Sequence, residues 1–144
     1  MCRIDDLSRN FGRLFLRMHR LLDRRMAQGG ASLARTKLLM FVDKEGPSRA
    51  VDIADMFGLA PRTVTEALDA LERDGLVRRD PDKADRRVKR VSITEEGRRA
   101  MTATEPLRLQ LTEQIFGVLS PEERAQLEVI VGKLGEAVAR EESR

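Results

Sequence analysis

Apolar side chains in the first third of the chain recur at the spacing of α-helices. Between residues 5 and 27 they fall every three or four positions, which predicts one long amphipathic helix that ends at Gly29-Gly30. A second helix is predicted from Ser32, as its N-cap, to about Lys44. The sequence Glu45-Gly46-Pro47 then breaks the chain.

The next segment contains two shorter periodic pieces separated by a glycine. Ser48 is a candidate N-cap for a helix that continues through Phe57, and Gly58 interrupts the pattern. A longer helix is predicted from Pro61 to about Asp74, because proline is favoured at the first helical position.

Period-two patterning replaces helical patterning after that helix. Residues 76–79 and 88–93 read as two short strands, and the second alternates Val91 and Ile93 with polar side chains. The charged, turn-forming sequence D-P-D-K-A-D-R-R lies between them. This arrangement predicts a two-stranded hairpin with a long basic tip.

Helical periodicity returns in the last third of the chain. A helix is predicted from Thr94, as its N-cap, to Val118 with a kink at Pro106. Ser120-Pro121-Glu122-Glu123 combines an N-cap, a first-position proline and a capping box, so a final helix follows. The predicted organisation is an N-terminal helix (1–31), a central lobe (32–98) and C-terminal helices (99–144).

The scarcity of reactive side chains argues against an enzyme. The 144 residues include one Cys and one His, which cannot build a Cys/His zinc site, and Cys2 lies at a terminus that is expected to fray. No phosphate-binding, dinucleotide-binding or zinc-protease motif occurs, so we expect no metal and no cofactor. The lack of a membrane span or signal peptide, together with a single cysteine, predicts a cytoplasmic protein.

The net charge of +3 is unevenly distributed. Residues 1–32 carry seven basic and three acidic side chains (+4), whereas residues 100–144 carry five and eight (−3). The hairpin segment 78–90 alone carries seven basic and three acidic side chains (+4). Such a concentrated positive charge is typical of a surface that meets a polyanion.

The order helix, helix, turn, helix, hairpin is that of a mainly α winged helix-turn-helix with a two-stranded wing. Ala54, four residues before Gly58, lets the two central helices cross closely. In this geometry the helix that starts at Pro61 presents its N-terminal half to the major groove of DNA. The outward side chains of this helix are predicted to be Arg62, Thr63, Thr65, Glu66 and Asp69, and the first four of them are predicted to meet DNA. The alternative is that these side chains form an ordinary solvated face.

Two further regions complete the predicted DNA contacts. Arg86 or Arg87 at the hairpin tip is predicted to enter a minor groove, with Asp85 orienting an arginine by ion pairing. Arg49, at the start of a helix, is a candidate phosphate clamp. The alternative for the hairpin is a mobile loop that its charges keep soluble.

The terminal helices carry more apolar surface than one small lobe can cover. The economical partner is a second copy, in a two-fold dimer that places two reading helices about one DNA turn apart on a pseudo-palindromic operator. The alternative is that these helices pack on each other within one chain.

The chain resembles the MarR family, the multiple-antibiotic-resistance-type transcriptional regulators. The matching sequences are T-V-T-E-A-L-D-A-L-E-R-D-G-L-V-R-R (63–79) and D-R-R-V-K-R-V-S-I-T-E-E-G (85–97). The resemblance implies a homodimer, a recognition helix in the major groove, an arginine-tipped wing in the minor groove, and repression relieved by a small molecule. Two positions depart from the common pattern: Ala60 stands where many members have a capping Ser, and Glu66 where many have Arg or Lys.

The same resemblance implies an effector site where the dimer helices meet the DNA-binding lobe. The residues predicted to line it are Phe11, Phe15, Met18, His19, Met40 and Phe41. Plain core packing is the alternative for the apolar members, and Cys2 is expected to be incidental. The resulting hypothesis is a dimeric DNA-binding repressor, located in a bacterial or archaeal cytosol at the nucleoid, that a small aromatic or carboxylate effector releases. The alternative function is a winged-helix protein-interaction module that binds no DNA.

Overall fold

The computed structural model describes all residues from 1 to 144, and it contains seven helices and three strands. In chain order they are α1 (Ile4–Gln28), α2 (Leu33–Glu45), β1 (Ser48–Arg49), α3 (Ala50–Phe57), α4 (Pro61–Arg73), β2 (Val77–Pro81), β3 (Lys89–Ile93), α5 (Glu95–Ala103), α6 (Glu105–Phe116) and α7 (Pro121–Glu142). The chain divides into two compact units, Met1–Leu107 and Arg108–Arg144. No helix has both the length and the uninterrupted apolar character that a bilayer span needs.

Three of the predicted helix starts carry the side-chain caps that the sequence indicates. The hydroxyl oxygen of Ser32 accepts a hydrogen bond from the backbone N–H of Arg35, and that of Thr94 accepts one from Gly97 at 3.0 Å. Ser120 and Glu123 form a reciprocal capping box at the start of α7. These bonds satisfy N–H groups that the first turn of a helix leaves without a partner.

The prediction that Ser48 caps a helix is wrong. Ser48 and Arg49 instead form β1, which pairs antiparallel with Val91 and Arg90 of β3. The Ser48 side chain is buried and donates to the carbonyl oxygen of Gly46 at 2.8 Å. The predicted two-stranded hairpin is therefore present as β2 and β3, but it belongs to a three-stranded sheet in the order β1-β3-β2.

The single kinked helix predicted from Thr94 to Val118 is two helices. The chain leaves α5 after Ala103 and re-enters helical structure at Glu105. Thr104 marks the break, and its hydroxyl donates to the carbonyl oxygen of Met101 at 2.8 Å. Pro106 has no N–H to donate and its ring opposes a regular preceding turn, so the interruption falls just before it.

One apolar core joins the helices and the sheet of the first unit. α2 contributes Leu38, Leu39 and Val42; α3 contributes Ile53 and Ala54; α4 contributes Val64, Leu68 and Leu71; and the strands contribute Val77 and Val91. Ala54 is almost fully buried, and Gly58 ends α3 in the left-handed conformation (φ 62°). The small side chain and the left-handed turn allow α3 and α4 to cross closely, which confirms the mainly α winged-helix fold.

Apolar side chains remain exposed on the terminal helices. On α1, Met26 is fully buried, whereas Leu7, Phe11, Leu14 and Phe15 are each more than half exposed. Within the second unit, no residue of α7 is buried. Each of these helices therefore exposes several apolar side chains, more than the scattered single apolar residues that are normal on a protein surface.

Candidate nucleic-acid interface

α4 has one buried face and one free face. Val64, Leu68 and Leu71 are fully buried at 3–4-residue spacing, which fixes the rotation of the helix on the core. The four side chains predicted to meet DNA lie on the free face, where all are exposed: Arg62, Thr63, Thr65 and Glu66. The structure therefore brings these four residues together on one accessible surface.

The N-terminus of α4 is free of negative charge and of a side-chain cap. Ala60 occupies the N-cap position, Pro61 begins the helix, and the first turn contains no acidic residue. The backbone N–H groups of this turn and the positive end of the helix dipole are thus available to an anion such as a DNA phosphate.

Replacing Ala60 with Ser is expected to raise the free energy of unfolding by about 1 kcal/mol. The Ala60 backbone already has the extended conformation of an N-cap (φ −62°, ψ 142°), so a serine oxygen there can accept an N–H of the first turn. Urea unfolding monitored by circular dichroism measures the change. Ser120→Ala, which removes an existing cap from α7, is the opposite control, and equal stability of Ala60→Ser and wild type would contradict the expectation.

Arg62 and Glu66 bind each other on the free face. The Nε of Arg62 donates to Oε1 of Glu66 at 3.1 Å, and both side chains remain exposed to solvent. The hydroxyl of Thr65 donates to the carbonyl oxygen of Pro61 at 2.9 Å, which leaves its oxygen lone pairs and methyl group free. Each of these side chains therefore keeps groups that can meet a base edge.

Arg79 of β2 holds the wing against α4. Its Nη1 donates to Oδ1 of Asp69 at 2.7 Å, and its Nη2 lies 3.5 Å from the carbonyl oxygen of Thr65. The Arg79 side chain is only 21% exposed. Sequence reasoning did not single out this residue, because its role depends on how the hairpin folds back onto α4.

Asp82 organises the turn at the wing tip. Its Oδ2 accepts hydrogen bonds from the backbone N–H groups of Ala84 and Asp85, both at 3.1 Å, and its Oδ1 accepts one from Nε of Arg90. The guanidinium of Arg90 and then the backbone N–H of Asp85 lower the pKa of the Asp82 carboxyl below its usual range. The wing tip is therefore a defined turn rather than an unstructured loop.

Asp85 and Arg87 form the next layer of the tip. The Oδ1 of Asp85 accepts from the backbone N–H and the Nε of Arg87 at 3.1 and 3.2 Å, and Oδ2 accepts from its Nη2 at 3.4 Å. Arg87 still projects outward, with 92% of its side chain exposed. Arg86 is exposed and makes no ion pair. Asp85 thus orients Arg87, while Arg86 is not held by any carboxylate.

Arg49 lies at the N-cap of α3, as the phosphate-clamp prediction requires. Its Nε and Nη2 donate to the two oxygens of Asp52 at 3.1 and 3.2 Å. This contact lowers the pKa of the Asp52 carboxyl and raises the pKa of Arg49. Arg49 stays cationic and exposed, and Asp52 fixes where its guanidinium lies.

An open groove of about 520 Å³ runs between α4 and the wing. Its polar lining comes from Arg49, Thr65, Glu72, Arg79 and Lys89. Lys89 is exposed and has no ion-pair partner, and sequence reasoning did not name it as a site residue. Its position in the strand V-K-R-V-S-I was the available signal, since alternation places it on the same strand face as Val91, another lining residue.

The residues predicted to bind an effector lie on α1 and α2, and none of them is fully buried within the chain. Phe41 packs on the core, with its ring 5.8 Å from that of Phe57 in an edge-to-face arrangement. Phe15 lies beside His19, with ring centroids 6.2 Å apart, and its side chain is exposed. Phe11 and Met40 are also exposed, and Met18 and His19 are half-buried.

Comparison with known proteins agrees with this arrangement. Residues 32–89 match the model of the MarR family. The chain is 28% identical to the uncharacterized HTH-type transcriptional regulator YkoM of Bacillus subtilis over 133 residues, which covers 92% of this chain and 86% of that protein. It is 27% identical to the HTH-type transcriptional repressor MdtR of the same organism over 139 residues, which covers 96% and 90%.

Solved structures show the same fold. A crystal structure of MarR superposes with a TM-score of 0.82 at 19% identity and covers 99% of this chain and 98% of that one. The Staphylococcus aureus MepR–DNA complex superposes with a TM-score of 0.75 at 23% identity and covers 90% and 96%. Residues 32–89 therefore carry a MarR-family domain, and the chain as a whole has the winged-helix fold of the solved MarR and MepR structures.

Proposed function

We propose that this protein is a homodimeric, sequence-specific transcriptional repressor that leaves its operator when a small molecule binds. The observation that carries the proposal is the pairing, in one compact unit, of an exposed polar face on α4 with a defined basic wing tip. Both elements rest on a shared core, so they can meet neighbouring grooves of one duplex at a fixed spacing. This structural support favours DNA binding over the alternative of an interaction module that binds no DNA.

In the proposed complex, α4 lies in the major groove and the wing lies in the adjacent minor groove. Arg62, Thr63, Thr65 and Glu66 meet base edges and phosphates, and Arg86, Arg87 and Asp85 form the minor-groove reader. Arg49 binds a phosphate. The groove between α4 and the wing, with Arg49 and Lys89 at its lining, supports a path for the DNA backbone.

The exposed apolar faces of the terminal helices support a homodimer. We assign dimerisation to residues 1–31 and 99–144, and DNA binding to residues 32–98. Four exposed apolar residues of α1, from Leu7 to Phe15, and a stripe on α7 from Val129 to Val138 need a partner surface. Opposite net charges, +4 in residues 1–32 and −3 in residues 100–144, favour association between copies.

We assign effector binding to the dimer, because every predicted lining residue is exposed or only partly buried within one chain. Phe11, Phe15, Met18 and His19 of α1, with Met40 and Phe41 of α2, provide an apolar surface that a partner subunit can close into a pocket. A ligand that favours one spacing of the two α4 helices lowers DNA affinity by its differential binding to the two states. A thermal-shift screen of aromatic acids detects such a ligand as a rise in melting temperature.

The proposed function is tested by binding of the purified protein to DNA from upstream of its own coding sequence. We expect saturable binding with two chains per site, measured by fluorescence anisotropy and sedimentation. Affinity is expected to fall steeply as salt rises from about 50 to 200 mM, because each neutralised phosphate releases counterions. Absence of binding, or an affinity that does not change with salt concentration, would contradict the proposal.

A further inference from the structure

The free face of α4 carries an ion pair between two side chains of types that can bind base edges. Arg62 and Glu66 are one helical turn apart, joined through Nε and Oε1 at 3.1 Å, and their side chains are 90% and 66% exposed. We propose that this pair acts as a single specificity-determining unit that selects a G·C pair in the major groove, where it contacts the guanine and the amino group of the cytosine paired with it. The inference rests on the proposed function, because it concerns which bases the bound DNA contains.

The atoms that the ion pair leaves free match one kind of base-pair edge. The contact uses Nε of Arg62, so the donors on Nη1 and Nη2 remain available. Glu66 retains acceptor capacity on its second oxygen, Oε2. The major-groove edge of a G·C pair offers two acceptors, guanine N7 and O6, beside one donor, cytosine N4. Two donors beside a carboxylate acceptor are complementary to that edge, whereas an A·T pair offers no two adjacent acceptors on one base.

The placement of the pair is poorly suited to stabilising the helix. An exposed ion pair in water contributes little, and Arg62 stands in the first turn, where the helix dipole disfavours a cation. The order Arg before Glu along the helix is also the less favourable one. In a DNA groove the displaced water strengthens the attraction, and holding the guanidinium in advance reduces the entropy lost on binding.

Glu66 also supplies a penalty against other sequences. A carboxylate close to DNA is repelled by phosphates, so it is tolerated where a base offers an amino donor, which cytosine N4 and adenine N6 both do. The choice between them comes from the guanidinium beside it, because guanine alone offers two adjacent acceptors. Arg62 neutralises part of that charge and is itself oriented by it. The two side chains are therefore coupled: removing either one is expected to weaken the discrimination that the other provides.

The test begins with selection of DNA by the wild-type protein from a random-sequence duplex library. We expect each half-site of the selected DNA to contain a G·C pair whose replacement by A·T weakens wild-type binding about tenfold or more. In Glu66→Gln and in Arg62→Lys, the same replacement is expected to cost less than about threefold, because Gln removes the charge and Lys lacks the guanidinium fork. Anisotropy titrations on matched duplexes give the dissociation constants.

Glu72→Gln is the matched control, since it removes the same charge from the same helix. Glu72 lines the groove, is exposed, and forms no side-chain bond. We expect it to strengthen binding to all duplexes similarly and to leave the discrimination unchanged. If Glu66→Gln discriminates as wild type does, the inference is overturned although the proposed function stands. If the library yields no enriched sequence and the protein binds no DNA, the proposed function itself fails.

Discussion

Replacing Gly97 with alanine is expected to lower the free energy of unfolding by about 3 kcal/mol. A Cβ at this position would lie 2.1 Å from the carbonyl oxygen of Leu76 and 2.8 Å from Cγ1 of Ile93. The Ile93 side chain can shift, but the Leu76 carbonyl is backbone and already accepts the N–H of Thr94 at 3.1 Å. The hydroxyl of Thr94 also donates to the carbonyl oxygen of Gly75 at 2.6 Å. Relieving the clash therefore means pulling α5 away from the start of the wing and losing these bonds.

Thermal unfolding followed by circular dichroism at a fixed protein concentration measures this effect. We expect Gly97→Ala to melt roughly 10 °C below wild type. Gly12→Ala is the matched control, because a Cβ there meets nothing within 4 Å in this chain. Alanine is the better helix former, so the control is expected to equal or exceed wild-type stability by up to about 1 kcal/mol. A Gly97→Ala protein with the melting temperature of wild type would show that α5 does not approach Leu76 this closely.

The elements that sequence reasoning predicted well are those specified by neighbouring residues. The caps at Ser32, Thr94 and Ser120 depend on side chains that reach backbone groups three positions along the chain. The buried face of α4 follows from helical periodicity alone. In each case the information lies within one or two turns of the chain, so the pattern was sufficient.

The element that the sequence did not reveal depends on a distant partner. β1 has two residues, and it exists because Ser48 and Arg49 pair with Val91 and Arg90, more than forty positions later. A serine followed by a helical pattern also satisfies the local signature of an N-cap, which favoured the wrong interpretation of Ser48. The consequence reaches the candidate site, since β1 fixes Arg49 beside the wing.

The candidate interface shows the same division between local and distant information. The free face of α4 could be predicted from spacing, and so could the Asp85 contact to an arginine two positions away. The contact of Arg79 with Asp69 could not, because it requires the fold of the hairpin on α4. The exposed and partly buried effector candidates illustrate a further limit: burial in one chain does not define a pocket that two chains would form.

Replacing Arg87 with alanine is expected to weaken binding to the wild-type operator by at least about thirtyfold. One guanidinium that reads DNA contributes about 1–3 kcal/mol to the binding free energy. A symmetric dimer carries two copies of the variant and therefore loses this contribution at both half-sites. The Arg87 guanidinium projects outward from the wing tip and is held in advance by two hydrogen bonds to Asp85, which also accepts the Arg87 backbone N–H. Its Nη1 remains free for DNA, and its fixed direction reduces the entropy lost on entering a narrow groove.

Two neighbouring variants separate orientation from charge in the same titrations. Arg86→Ala removes an equal charge from a side chain that no carboxylate orients, so we expect a smaller loss that vanishes as salt rises. Asp85→Asn keeps Arg87 but weakens its support; although it removes a negative charge from the DNA-facing tip, we expect it to lower affinity. Stronger binding by Asp85→Asn would mean that the carboxylate acts only by repulsion. Unchanged binding by the double variant Arg86→Ala, Arg87→Ala would show that the wing tip contributes nothing to DNA binding and would remove the wing from the interface.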